Sequence, residues 1–289
     1  MVDSASATSP SRPALEQAAQ RVKEISTLPH VTLRVLDIIN DESAGAAELK
    51  TAMECDVSLC ARVLRVVNSS AYGLRQPITN LQMAIAYLGF RQIRNLALTA
   101  SIGDMFQKDE QIGSYRRSRL WRHMVAVGIA SRMIAMRKGM EQFEDVFLAG
   151  LLHDIGIILE DQVDHLRFVG MLTDLSSDAT LEEQEQGQLG YTHSELGAWV
   201  AQKWSFPELV ADTIRLHHAP LSDGRDKGVH CVEVANMLCS FKGMTSVGVN
   251  LVRPSIAAVN GLELSKADLE TLLLDLDDEL RQYDELFRL

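Results

Sequence analysis

Five histidines and one aspartate carry the chemistry in this sequence: His123, the pair His153-Asp154, His193, and the adjacent His217-His218. Asp154 lies inside the run Phe147-Leu148-Ala149-Gly150-Leu151-Leu152-His153-Asp154-Ile155-Gly156-Ile157-Ile158-Leu159, which is apolar on all sides. A carboxylate there loses hydration worth several kcal/mol unless something pairs with it. A metal ion is one such partner; backbone amides at a helix end, or a neighbouring histidine, are others. Read singly, each imidazole is more often a hydrogen-bonded core residue than a ligand. Read together on apolar faces of a helical bundle, they make the imidazole-rich site that iron, manganese or zinc requires. His165 and His230 lack such context and read as surface residues.

Three helices must aim these side chains inward. On a helix from about residue 116 to 137, His123, Val127, Ala130 and Ile134 share one stripe. His193 stands near the start of a helix whose Leu196, Val200 and Ala201 face the core. His217 and His218 close the next helix, after Val210 and Ile214. Neighbours on a helix point about 100° apart, so both reach one site if the helix unwinds there, and Pro220 favours that.

The whole chain has 289 residues, of which 46% are hydrophobic and 23% charged, enough for one large core or two modest ones. Lys and Arg total 28 against 39 Asp and Glu, a net charge of −11, which excludes general nucleic-acid binding. No apolar run reaches the roughly 18 residues that span a bilayer, so no membrane association is expected. The start MVDSASATSPSRPA lacks a secretion pattern, and the expected location is cytoplasmic. Cys55, Cys60, Cys231 and Cys239 form no CxxC pair and read as buried, reduced thiols.

Residues 1–13 are Ser, Ala and Pro with little to bury and are expected to be a disordered tail. From 14 to 112 the apolar residues recur at helical spacing in short amphipathic helices: Leu33, Leu36 and Ile39; Leu59, Val63, Val66 and Val67; Ala84, Ile85 and Leu88. Residues 113–244 form a second, histidine-rich block with longer helices. Residues 245–289 carry Leu262, Leu264, Leu269, Leu272, Leu273, Leu276, Leu280 and Leu286 among many acids, which predicts helices packing back on the body. With no alternating strand pattern, the fold class is all-α, a two-lobed helical bundle.

The segment Phe147 to Gly156, with His123 thirty positions earlier, resembles the HD superfamily of metal-dependent phosphohydrolases. His193 and His217-His218 resemble the extra ligands of the HD-GYP branch, whose members hydrolyse cyclic di-GMP at a two- or three-metal centre. The first block narrows the match. Leu28-Pro29, Asp56-Val57-Ser58-Leu59, Leu64-Arg65-Val66-Val67-Asn68-Ser69-Ser70-Ala71-Tyr72 and Ala84-Ile85-Ala86-Tyr87-Leu88-Gly89 resemble the HDOD domain over roughly residues 20 to 245. That resemblance implies a bacterial, all-helical protein, often linked to response regulators or signalling domains, with an HD-like second lobe.

Two departures bear on activity. Hydrolases of the cyclic-dinucleotide type end their metal set with an Asp on a late helix, where this chain offers Asn236. With Asp154 as the sole carboxylate, one ion fits the set better than two. Where such enzymes often carry the Lys of HDxGK, this chain has Ile157, which cannot stabilise phosphoryl charge. The Gly-Tyr-Pro signature is absent as well.

Arg91, Arg94, Arg119 and Arg122, with Arg116 and Arg117, offer a local basic cluster for a nucleotide phosphate or an acidic partner; a solvated helix face balanced by acids is the plainer reading. Trp121, Trp199 and Trp204 read as packing residues. The expectation is a signal-transduction module with a degenerate HD-type metal site that binds a partner protein or a small nucleotide. The alternative is an active metal-dependent phosphohydrolase in which His123, His153, Asp154, His193, His217 and His218 hold the metal and a bound water is the nucleophile. A third reading makes the retained ligands a sensor of metal or redox state.

Overall fold

The computed structural model describes residues 13–25, 28–41, 43–220 and 225–288. The expected tail lies outside these residues except for Pro13, which opens the first helix at the position where a missing N–H costs nothing. Among the described residues the chain is all-α, as the periodicity predicts. The exception is an antiparallel ribbon, Gln111–Ile112 against Tyr115–Arg116, too short to show an alternating pattern in sequence.

The first block folds as α1 (Pro13–Ile25), α2 (His30–Asn40), α3 (Ala46–Glu54), α4 (Val57–Val67), α5 (Leu81–Leu88) and α6 (Phe90–Gly103). Side-chain caps set several of these starts. Asp56 accepts from the Leu59 N–H at 2.9 Å to open α4, and Asn80 accepts from the Met83 N–H at 2.9 Å to open α5. The predicted stripe Leu59, Val63, Val66 and Val67 is buried, with α4 packed on α6.

The second block contains α7 (Arg117–Arg137), α8 (Phe143–Leu152), α9 (Ile155–Val163), α10 (His165–Thr173), α11 (Leu181–Gln188), α12 (His193–Lys203), α13 (Glu208–Leu216) and α14 (Lys227–Phe241). Its centre is the packing of α7 on α8 and α14, of α8 on α13, and of α12 on α9 and α13. α1 opens the first block in sequence yet rests on α9 and α12 of the second. Buried side chains from both blocks join in one continuous hydrophobic cluster.

Two glycines permit the close crossings. A Cβ on Gly150 would lie 2.6 Å from Ser131 Oγ and 3.0 Å from Gly128 Cα, so α8 can approach α7 only without a side chain there. A Cβ on Gly156 would lie 1.9 Å from the His193 carbonyl oxygen, which makes glycine a condition of the α9–α12 contact.

After α14 the chain runs irregularly over residues 245–255 before α15 (Ile256–Gly261) and α16 (Lys266–Gln282). Ser114 Oγ donates to the Val247 carbonyl at 2.9 Å and Arg253 bonds Glu183 at 3.0 Å, which pins this strap across the second block. Leu272 and Leu276 of α16 face inward, and α16 lies against α7. All four cysteines are free thiols. Cys231 and Cys239 are buried and Cys60 is half-buried, but Cys55 is exposed where α3 ends, contrary to the expectation of burial. No helix among the described residues is long and apolar enough to cross a membrane.

Candidate metal centre

The His-Asp pair sits in the corner between α8 and α9. The helix breaks at His153 and Asp154, and the Ile157 N–H donates to the Asp154 carbonyl at 3.0 Å as α9 begins. This turn drives a carboxylate into the bundle centre, where Asp154 is 2% exposed.

Asp154 divides the surrounding imidazoles into two sets. Its Oδ2 lies 3.3 Å from His123 Nε2 and 3.3 Å from His153 Nε2. Its Oδ1 lies 3.4 Å from His193 Nε2 and 3.2 Å from His217 Nε2. His218 joins the second set: its ring centroid is 4.1 Å from that of His217 and 5.2 Å from that of His193. α13 ends at Leu216, and His217 and His218 occupy the turn that follows. All five histidines singled out in the sequence, scattered over four helices and their ends, therefore meet at one aspartate.

Each ring facing Asp154 is fixed from behind. His123 Nδ1 donates to the Met244 carbonyl at 2.8 Å, and His153 Nδ1 to the Gly150 carbonyl at 2.7 Å. His217 Nδ1 donates to the carbonyls of Ile214 at 3.0 Å and Thr213 at 3.1 Å. A carbonyl can only accept, so these Nδ1 atoms carry the proton and the Nε2 lone pairs point at Asp154. His193 Nδ1 meets a carboxylate instead, at 2.7 and 2.9 Å from the two oxygens of Glu185. The Thr192–Glu195 capping box holds the first turn of α12, and Glu185 also accepts the His193 N–H at 3.0 Å.

The donor set fits a divalent transition ion. Nε2 atoms 3.4 Å apart, in His123–His153 and again in His193–His217, crowd ring nitrogens around a carboxylate away from water. Imidazoles braced through Nδ1 with Nε2 turned to a common centre are the arrangement of metal-ligating histidines.

Local fields agree. Burial pushes the His153 imidazole down to about 4 despite the pull of Asp154, so the ring is neutral near pH 7. Burial disfavours charge on Asp154, but the His153 ring and the close contacts of His123 and His193 more than reverse this and hold its carboxyl well below the usual range. For His193 burial again opposes charge, yet Glu185 and Asp154 hold its imidazolium well above the usual range. Burial, with His217 and His193 alongside, pushes His218 well down. Behind Glu185, burial and that neighbouring carboxylate push the Glu160 carboxyl well up, so Glu160 is a neutral acid.

A cavity of about 680 Å³ opens at Asp154, His217 and His218. Its walls include Asn236 of α14, Glu182, Glu183 and Gln186 of α11, residues of the strap between Thr245 and Ser255, and the start of α15. Asn236 is buried and its Oδ1 accepts from Ser240 Oγ at 3.3 Å. Ile157 is fully buried.

The basic cluster lies elsewhere. Arg94 is buried against Asp145 at 2.6 Å, Arg91 reaches the same carboxylate at 3.5 Å, and Arg122 covers the Phe287 ring at 4.8 Å. Arg119 is exposed, and none of these four arginines lines the cavity at Asp154. Trp121 packs on Phe106 and Trp204 on Phe206, as expected of packing residues.

His230 corrects the reading of it as a surface residue. It is 5% exposed and its Nδ1 bonds Glu233 at 2.9 Å, because α14 is enclosed on most of its circumference. His165 is half-buried, between Asp161 and Glu110. Glu185 and the Met244 carbonyl were not visible beforehand. Glu185 sits in the polar run Leu181-Glu182-Glu183-Gln184-Glu185-Gln186, where nothing marks one acid as inward.

Comparison with known proteins agrees with the all-helical fold. A structure from Geobacter sulfurreducens, an HDOD domain protein with unknown function, is 26% identical with a TM-score of 0.77, covering 96% of this chain and 99% of its own. A candidate phosphohydrolase from Shewanella amazonensis is 24% identical with a TM-score of 0.74, over 96% of this chain and 98% of its own. A candidate signal transduction protein from Marinobacter aquaeolei is 22% identical with a TM-score of 0.75, over 96% of this chain and 64% of its own. At these last two identities the likeness concerns the fold alone. An uncharacterized protein of Treponema pallidum (strain Nichols) is 25% identical over 203 residues, 69% of this chain, which spans only 39% of that relative's length. Residues 25–220 match the HDOD domain, and the chain belongs to the HDOD domain family.

Proposed function

We propose that this chain is a regulatory HDOD module of bacterial signalling. In this reading its His/Asp centre holds a divalent transition ion, iron, manganese or zinc, and its helical surface engages a partner protein or a small ligand. The ion's donors come from His123, His153, Asp154, His193, His217 and His218. A divalent ion held there would supply Lewis acidity and would tie α7, α8, α12 and α13 to one point. The chain's own residues orient the donors: carbonyls and Glu185 fix the rings, and Gly156 lets His193 reach Asp154.

The cavity's charge is the observation that carries regulation over turnover. Arg253 is the one Lys or Arg side chain in its lining among the described residues, and Glu183 already engages it at 3.0 Å. Glu182, Glu183 and Glu233 face the same space. Beyond the ion itself, a phosphodiester entering there meets acids and no unpaired Lys or Arg among the lining residues, and phosphoryl transfer depends on positive charge placed where negative charge develops. Ile157 adds no charge from below, and Asn236 adds no second carboxylate for another ion.

The second reading, a metal-dependent phosphohydrolase acting on cyclic di-GMP or another phosphodiester, draws on the convergence of five imidazoles on Asp154. A single assay separates the two. Protein loaded with iron or manganese is incubated with cyclic di-GMP and with bis(p-nitrophenyl) phosphate beside the Asp154→Ala variant. The regulatory reading expects no turnover above the variant; turnover that Asp154→Ala abolishes would establish the hydrolase.

A further inference from the structure

The two halves of the centre are unequal. Asp154 Oδ2 faces two imidazoles, those of His123 and His153, whereas Oδ1 shares its half with three, those of His193, His217 and His218, whose donor atoms all lie within 4.8 Å of one another. The difference extends behind the ligands. His123, His153 and His217 lean on neutral main-chain carbonyls, but His193 leans on the fully buried Glu185, with contacts at 2.7 and 2.9 Å to Nδ1 and 3.0 Å to the backbone N–H. A carboxylate behind a ligating imidazole orients the ring and strengthens it as a donor. The Oδ1 half thus faces an incoming dication with two carboxylates, Asp154 directly and Glu185 through His193. The other half has Asp154 alone, with the carbonyls of Met244 and Gly150 behind His123 and His153. Access differs too: His217 and His218 line the cavity, while His123 and His153 do not.

We propose that a single ion is held in the Oδ1 half by Asp154, His193, His217 and His218, and that Glu185 is the positioning residue that sets this preference. The inference rests on the ion-holding reading above and adds which donors hold the ion and why.

The test is a Co(II) titration of the full chain followed by visible absorption, with melting by circular dichroism to establish folding. Glu185→Gln keeps the shape and an acceptor oxygen, and should weaken Co(II) binding 10- to 100-fold, the range for loss of a partner behind a ligand. His193→Ala should weaken it at least as much, and His123→Ala by less than about threefold, since its ring stays outside the coordination sphere. A loss with His123→Ala equal to that with His193→Ala, or unchanged binding with Glu185→Gln, overturns the proposal. A readout free of mutation is the count of hyperfine-shifted exchangeable imidazole protons in the NMR spectrum of Co(II)-loaded wild type. Three are expected from the Oδ1 set and two would place the ion with His123 and His153. Should His123→Ala fail to fold, this count decides. Wild type that binds no Co(II) removes the ion-holding reading and this inference together, whereas binding with the reversed pattern removes this inference alone.

Discussion

Glu185 Oε2 lies 2.7 Å from His193 Nδ1, and neither side chain is exposed to solvent. The contact joins α11 to the first residue of α12 and fixes a ring whose other nitrogen faces Asp154 at 3.4 Å. His193 is thereby held between two carboxylates in the interior. That arrangement is costly to bury unless a proton or a metal ion balances it. On the ion-holding reading, cation binding and helix packing would be the same event at this centre, and the predictions below follow from that coupling.

Removing the shared carboxylate should uncouple ion from fold. With manganese or iron at about 100 times its dissociation constant, ion binding stabilises the wild type by about 2.7 kcal/mol. Asp154→Ala should show no metal-induced rise in Tm. An equal rise in variant and wild type would place the ion elsewhere.

The α9–α12 contact should not tolerate a methyl group. Gly156→Ala puts a carbon within 1.9 Å of the His193 carbonyl, so the helices must separate. A loss of about 3 kcal/mol in urea unfolding is expected, at the upper end for overpacking, together with loss of the ion. Retention of full stability and ion affinity would mean that the contact is looser than described.

Acid should destabilise the chelator-treated protein through histidines buried neutral. His153 has a folded value of about 4 against an ordinary 6.5, so as pH falls from 6.5 toward 4 the unfolded chain takes a proton that the folded chain refuses. Stability is lost in that window, by about 3 kcal/mol at its acid end. His218, also pushed down, acts in the same direction. His193, held up, contributes stability that is complete below 6.5 and is lost only as pH rises through its folded value, and Asp154, held down, keeps its contribution until pH falls below the ordinary carboxylate range. Urea melts at pH 7 and 4.5 should show His153→Gln losing roughly 2 kcal/mol less than wild type. Identical losses would mean that His153 is not held neutral.

Restoring charge on α14 should alter the stoichiometry. If Asn236 stands where the carboxylate of two-metal relatives would be, Asn236→Asp supplies the missing donor, and the retained metal should rise from one ion per chain toward two. Elemental analysis of both proteins gives the comparison, and unchanged content would show that Asn236 does not occupy that position.

The candidate ligands were legible because their contexts are improbable otherwise. Asp154 interrupts a fully apolar run, and His123 and His193 fall on inward stripes of their helices. Pro220 signalled a helix end beside His217 and His218, and α13 ends at Leu216. The supports were hidden for physical reasons. Met244 contributes a main-chain carbonyl, which every residue possesses, and Glu185 sits among other acids on a polar helix, its burial arising from where α11 docks. His230 was misread although Val229, Cys231, Val232 and Val234 flank it, a signal that α14 is enclosed rather than half exposed. The position of α1 on α9 and α12 follows from tertiary packing that no local pattern records.

The most direct test is the metal content of protein expressed in iron-, manganese- and zinc-supplemented medium and gel-filtered without chelator, measured beside Asp154→Ala. About one equivalent of transition metal in the wild type and none in the variant is the predicted result. A metal-free wild type, or equal retention by both proteins, would contradict an ion seated at Asp154.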